Sequence, residues 1–333
     1  MNTVPTKSFI PSAIQSLKTE KTVSYLRTEI LHRYFKVVHG LFAILILIQF
    51  LPDKLSSETY ASYVIWFAVG VEVFTLVFSF FIKKTENLNL FVDIIAFIYG
   101  LLIAWTLATA KFNILKTALF PPPGKVFWQF IGDYDKILTN IQSSVGIILQ
   151  GYFLAIFVAV PLGLFLGWSA RLGGTAMYIS KFLGAIPPIV YIPYGIALLP
   201  TFRSVSVFVI FLATFWPVFG GTMSGVMNVD KKTVDSAKVL NVGKGTMLFS
   251  IILPSSLQQI FIGCNQGLTV SFVLLTSAEM IGAQSGLGYY IKNYSDFGDY
   301  TRTIVGLIVV GMVIVAISFL FNKIQKFLLR WKQ

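Results

Sequence analysis

The sequence predicts an all-α integral membrane protein with about eight transmembrane helices, and three observations carry that expectation. Of 333 residues, 56% are hydrophobic and only 12% are charged, about half the roughly 25% charged share of an ordinary soluble domain. Mean hydropathy is +0.77. Apolar runs recur between charges at the length of about 20 residues that crosses roughly 30 Å of hydrocarbon. The formal charge of +12 suits a chain held against anionic lipid. Nucleic-acid binding would need that charge on a soluble surface, which the hydropathy excludes. One cysteine, Cys264, permits no internal disulfide and no cysteine-based zinc site. Two histidines, His32 and His39, leave little material for metal or triad chemistry, so no catalytic residue, metal or cofactor is expected.

The first run lies between Lys36 and Asp53, short but usable if the Lys36 side chain snorkels, with His39 near its end. The second, Tyr60 to Ile82, carries Glu72; the third, Leu88 to Ala110, carries Asp93. Then come Val145 to Ala170, Phe182 to Phe202, Ser204 to Met227, Ser255 to Ala283 with Glu279 inside, and Ile304 to Asn322. Residues 1–36 contain no apolar stretch, so they form no signal peptide; an amphipathic helix over 14–36 with Leu17, Leu26, Ile30 and Leu31 on one side competes with a solvated tail. Basic residues retained on the cytoplasmic side orient such chains. With both termini cytoplasmic, that side holds 18 of the 26 lysines and arginines. Between the third and fourth runs, Pro121-Pro122-Pro123-Gly124 stops a helix, because each ring removes a donor and constrains its predecessor. An amphipathic run through Phe127, Phe130 and Ile131 follows.

The longest cytoplasmic loop, residues 228–254, carries the most information. Val234, Ala237 and Leu240 recur at helical spacing and give a short helix one apolar face. Asn241 stands where that helix should end, and Asn tolerates the left-handed cap. Met247, Leu248, Ile251 and Ile252 begin a second helix, and Pro254 suits the first turn of the next span. Helix, cap and helix together present a small apolar knob. Gly243-Lys244-Gly245-Thr246 only hints at a phosphate loop: no glycine precedes at the required spacing, and Gly245 stands where Ser or Thr is needed.

The segment Asp235-Ser236-Ala237, Asn241, Ile251, Leu253, Pro254 resembles the loop shared by permease subunits of type I ABC importers, written Glu-Ala-Ala, three residues, Gly, nine residues, Ile-x-Leu-Pro. The spacing matches throughout; Asp replaces Glu, Ser replaces Ala and Asn replaces Gly. Phe120-Pro121-Pro122-Pro123, Pro161-Leu162-Gly163 with Gly167, Ile186-Pro187-Pro188, Ala278-Glu279-Met280 and Ser285-Gly286-Leu287-Gly288-Tyr289 follow the order seen in the nitrate/sulfonate/taurine-type subfamily. The resemblance covers about Leu88 to the end. It implies a permease domain over 88–333, preceded in 1–87 by a cytoplasmic tail and two accessory spans. It further implies a separate ATPase docked on the 232–254 loop through Asp235, Ser236, Ala237, Leu240, Asn241, Ile251, Leu253 and Pro254. An extracytoplasmic substrate-binding protein, a second permease copy (a homodimer) and a bacterial cell membrane complete the expected surroundings. The expected role is a solute path for a small nitrate-, sulfonate- or taurine-like anion.

For that path the sequence offers Glu279, which is costly at membrane depth, with Ser271 and Thr276 beside it and Asn265 and Gln266 as polar neighbours. Interhelical hydrogen bonding is the plainer use of such an acid. Pro187, Pro188 and Pro193 break the fifth span, and Tyr191 and Tyr194 beside the break can face a cavity. Gly163/Gly167, Gly221/Gly225 and Gly263/Gly267 are small-residue pairs of the kind that lets helices approach closely. The alternative function is a self-contained proton-coupled secondary transporter using Asp93, Glu72 and Glu279; it should show repeated halves, and none is visible. A membrane-embedded enzyme would need a reactive cluster at one membrane face, which the sequence lacks.

Overall fold

A computed structural model describes residues 37–54, 60–82 and 85–330, so the tail over 1–36 lies outside the described residues. These form helices and connecting turns: α1 Val37–Gln49, α2 Ala61–Phe81, α3 Thr85–Thr106, α4 Pro123–Gly132, α5 Tyr134–Gly167, α6 Ala170–Gly184, α7 Ile192–Leu198, α8 Phe202–Met227, α9 Lys231–Val239, α10 Leu253–Gly282, α11 Leu287–Asp296 and α12 Tyr300–Leu328. Six stretches are long and apolar enough to cross a membrane: Ala61–Phe81, Glu86–Lys111, Tyr134–Gly167, Phe202–Met227, Lys244–Gly282 and Tyr300–Leu328. A seventh is a bent pair, Ala170–Gly184 with Pro188–Leu198, which turns by 74°. α1 has 13 residues and rises about 20 Å, short of the roughly 30 Å core. Every expected run thus has a helical counterpart, and six to seven have spanning length among the described residues.

The chain divides into two compact units, residues 1–128 and 129–333. This division falls after Trp128, within α4. α3 packs with α1 and α2, sharing a core of Val38, Leu45, Val64, Ala68, Val92 and Tyr99. In this first unit Glu72 is buried and bonded to His39, and the Tyr99 hydroxyl donates to its Oε2 at 3.0 Å. A carboxylate inside an apolar bundle is tolerable only with such partners. Lys111 is likewise buried: its ammonium donates to the carbonyls of Gln49 (3.4 Å) and Leu51 (2.5 Å) and to Asp53 Oδ1 (2.7 Å), so a cation closes the carbonyl end of α1. Asp93 is exposed on α3.

In the second unit α8 lies between α5 and α10, and a core of Ile148, Tyr152, Ile210, Val218, Met223, Leu268 and Phe272 fills the space. The glycine pairs set how closely these helices meet. A Cβ on Gly263 would stand 2.5 Å from the Pro217 carbonyl oxygen of α8, and one on Gly221 would stand 2.8 Å from the Gln259 carbonyl oxygen of α10. One on Gly163 would meet Thr222 at 2.7 Å. Only a residue without a side chain permits such contact, which yields dispersion where lipid offers no hydrophobic drive. The proline triplet ends as expected, with Pro123 opening α4.

Residues 170–184 depart from expectation. Arg171 and Lys181 suggest a cytoplasmic turn ahead of a span starting at Phe182, whereas the structure forms α6 there, capped by Ser169, whose hydroxyl accepts from the Leu172 N–H at 3.4 Å. The break falls after it, where Pro187 is extended and Pro188 begins a 3-10 turn through Tyr191.

Candidate functional site

The 228–254 loop folds from its own local signals. Asp230 caps α9, its carboxylate accepting from the Lys232 N–H at 3.1 Å. Asn241 ends it with φ +57°, one of two non-glycine residues at positive φ among the described residues, and Val242 N–H reaches back to the Ala237 carbonyl at 3.1 Å. The chain re-enters helix at Lys244, widens into a π-helical turn over Met247–Ile252 and continues as α10, with Pro254 in its first turn.

Packing splits the apolar face expected of Val234, Ala237 and Leu240. Ala237 is buried with Met247, Leu248, Ile252, Val226 and Leu164, and Val234 packs against that cluster. Leu240 does not join them: it is 77% exposed and Val239 is 86% exposed. Helical spacing puts Leu240 beside Ala237, but α9 ends at Val239 and the capping turn carries Leu240 outward. The buried side therefore holds the loop to the bundle, and a two-residue apolar tip faces outward. Asp235 is exposed and receives Lys238 Nζ at 3.3 Å, an exposed pair of little energetic weight. Ser236 is also exposed, Ile251 and Leu253 are half-buried, and the exposed Lys244 has no ion pair among the described residues.

Glu279 closes a different site. It is 1% exposed. Ser144 of α5 donates to its Oε1 at 2.7 Å, and the Gly288 N–H donates to its Oε2 at 2.8 Å. Ser144 Oγ in turn accepts from the Leu287 N–H at 2.8 Å, and Asn140 Oδ1 accepts from the Gly286 N–H at 2.7 Å. Three successive backbone donors ahead of and within the first turn of α11, which a helix leaves unsatisfied, are thus taken by side chains of α5 and α10. Gly286 has φ +118°, and a Cβ there would run into the Glu279 carboxyl group. Ala278-Glu279-Met280 and Ser285-Gly286-Leu287-Gly288 are therefore two halves of one clamp. A void of about 10 Å³ beside Glu279, lined also by Thr276 and Leu275, is at the lower limit for one water.

Ser271, expected on the path, is also buried, bonded to Thr214 of α8 and the Gly267 carbonyl, both at 2.7 Å. Thr276 is half-buried and donates to the Phe272 carbonyl at 3.0 Å. The reason is helical phase: residues 271, 275, 278 and 279 share the inward face of α10. The broken segment is the more open part. Pro187 and Tyr194 are exposed, Pro188 and Tyr191 half-buried, and the 3-10 turn packs against α8 and α10. Arg203, in the first turn of α8, borders an open cavity of about 460 Å³ between α5 and α8 with Gln150 and Phe211.

The sequence pattern alone does not single out the outward face of α10. Gln258, Gln259, Asn265, Gln266 and Thr269 are all exposed. The signal is present as two carboxamide pairs seven residues apart, but by spacing Asn265 and Gln266 register only as neighbours of Glu279. Away from this region, Asp133 stands at the foot of α5. Burial pushes its carboxyl up, but hydrogen bonds from Arg302, Tyr290 and Gln129 and the Arg302 charge outweigh that and hold it below its ordinary 3.8. Arg302 Nε lies 2.5 Å from Asp133 Oδ2, and Tyr290 donates to the same oxygen at 3.0 Å.

A bundle of long apolar helices, a broken span and a capped loop with an exposed apolar tip define a membrane-transport subunit. The chain belongs to the family described as binding-protein-dependent transport system inner membrane component, which matches residues 159–332. It is 30% identical over 198 residues to a probable ABC transporter permease of Brucella abortus (strain 2308), covering 60% of this chain and 79% of the relative. It is 26% identical over 234 residues to the taurine transport system permease of Escherichia coli (strain K12), covering 68% and 84%. It is 26% identical over 187 residues to a nitrate import permease of Leptolyngbya laminosa, covering 56% and 67%. The chain is therefore a multi-pass membrane protein of the ABC permease class in the nitrate/sulfonate/taurine-type subfamily, a transport component and not a catalytic subunit.

Proposed function

We propose that this chain is the permease of an ATP-driven importer, forming with a second copy the path for a small anion of the nitrate, sulfonate or taurine kind. An extracytoplasmic binding protein delivers the solute, and a separate ATPase docks on the 232–254 loop. Both termini are cytoplasmic, since that orientation keeps most of the lysines and arginines inside. The observation that carries the reading is the apolar tip Val239–Leu240, exposed on a loop whose other side is fixed by Ala237, Met247 and Ile252. An exposed apolar tip on a rigid base is the form of a hot spot awaiting a pocket. Asp235, Ser236 and Asn241 surround or shape this tip, while Ile251, Leu253 and Pro254 carry its displacement into α10. The break at Pro187, Pro188, Tyr191 and Tyr194 borders the path, and Glu279, Ser271 and Thr276 support it from behind.

The test is co-purification of the ATPase expressed with the permease. Leu240→Asp should leave the permease folded and lose the ATPase, and transport with it. Undiminished co-purification with both Leu240→Asp and Val239→Asp would overturn the docking assignment.

A further inference from the structure

The second unit's outward surfaces are mostly apolar, and α10 carries the densest set of exposed carboxamides. The exposed positions of α12 include Leu307, Met312, Val315, Phe319 and Leu320; those of α5 include Leu149, Phe153, Phe157 and Phe165. α10 is reversed. Its inward face is Ile260, Cys264, Leu268, Phe272, Leu275 and Ala278, whereas Gln258, Gln259, Asn265, Gln266 and Thr269 look outward. At 1.5 Å per residue, Asn265 and Gln266 lie within about 4 Å of the midpoint of α10. No hydrogen bond engages the four carboxamides among the described residues, and Thr269 uses its hydroxyl proton on the Asn265 carbonyl.

A carboxamide held in hydrocarbon without a partner costs on the order of 2–7 kcal/mol, and lipid-exposed polar groups at that depth mark a water-filled cavity or a protein contact. Four such groups on one face weigh against lipid as its neighbour. The face carries no charge: within 253–282 the one ionisable carboxylate, Glu279, points inward and is closed on Ser144 and Gly288. The broken segment at Pro188–Tyr191 packs against the same helix, and the adjoining Ile192 clusters with its residues Leu274 and Ala278.

We propose that this face lines the aqueous solute path and passes its solute by amide and hydroxyl hydrogen bonds, not by a fixed charge. The inference rests on the permease reading and deepens it by naming the lining and the chemistry it serves. Carboxamide N–H groups can hold an oxyanion briefly. Passage requires sites weak enough to leave, and neutral donors meet that requirement without a fixed charge.

The experiment is thiol labelling of the full chain in membrane vesicles. Cys264 is buried and is the single cysteine, so Cys264→Ala gives a thiol-free parent. Gln258→Cys, Asn265→Cys, Gln266→Cys and Thr269→Cys are compared with Leu307→Cys and Val315→Cys on α12, using methanethiosulfonate ethylsulfonate, a charged reagent that reacts from water. The expected result is at least tenfold faster modification at the four α10 positions. Where one substitution prevents insertion, Ile262→Cys on the same face replaces it. Modification of none of the α10 positions would show the amides sealed against another helix, and equal rates at all positions would show no selective water access; either overturns the proposal. Because labelling does not need the ATPase, it can fail while the docking test succeeds, and the reverse.

Discussion

Glu279 gives the sharpest quantitative test of the second unit. Its two oxygens take one hydroxyl and one backbone donor at 2.7 and 2.8 Å in a buried site. Removing the acceptor leaves the Ser144 hydroxyl and the Gly288 N–H buried and unsatisfied, about 1–3 kcal/mol each, so Glu279→Ala should cost about 2–5 kcal/mol. Glu279→Gln keeps one acceptor for the Gly288 N–H and turns its amide onto Ser144, whose hydroxyl must then find a new acceptor. The loss is then about one bond, 1–2 kcal/mol. In a unit of this size 1 kcal/mol moves a melting midpoint by roughly 2–4 °C, which separates the two variants clearly. Thermal unfolding in detergent should give midpoints in the order wild type, Glu279→Gln, Glu279→Ala. Gly286→Ala should resemble Glu279→Ala, since it strains the backbone and strikes the same carboxyl group. Should Glu279→Ala melt with the wild type while transport disappears, the clamp is refuted and the residue returns to the solute path.

Other expectations follow the same logic. Ala237→Arg should lower the melting midpoint as well as remove the ATPase, because Ala237 is buried in the loop's base, while Leu240→Asp should leave the midpoint within about 2 °C, as exposed changes stay within about 0.5 kcal/mol. Gly263→Val should cost about 3 kcal/mol or block assembly, because its side chain would meet the Pro217 carbonyl; trypsin sensitivity in vesicles reads this out. Asp133 has a lowered folded pKa, so its stabilising contribution is complete above the ordinary 3.8 and fades as pH falls through the folded value. Melting midpoints of wild type and Asp133→Asn should differ by a constant amount above about pH 5, the mutant lower, and the gap should narrow as pH falls below the ordinary 3.8.

Local rules made much of this legible from residues alone. The cap at Asn241, the helix entry at Pro254 and the break at Pro187–Pro188 depend on backbone chemistry within a few residues, and the glycine pairs depend on side-chain size. What was not legible depended on phase or on distant partners. Leu240 leaves the Ala237 face because the helix ends one residue earlier. Glu279 turns inward to meet donors from α5 and α11, 135 and 9 residues away, which no local pattern announces. Arg171 and Lys181 mark a polar segment at the edge of the spans, but Ser169 and its apolar neighbours make it helical.

From Lys244 to Gly282 the backbone runs as one helical rod of 39 residues, nearly 60 Å at the usual rise. Its single irregularity is the widened turn at Met247–Ile252, close to the near end. Beyond that turn no second break interrupts the shaft, so one continuous piece of chain joins the loop to the place where Glu279 grips the turn into α11.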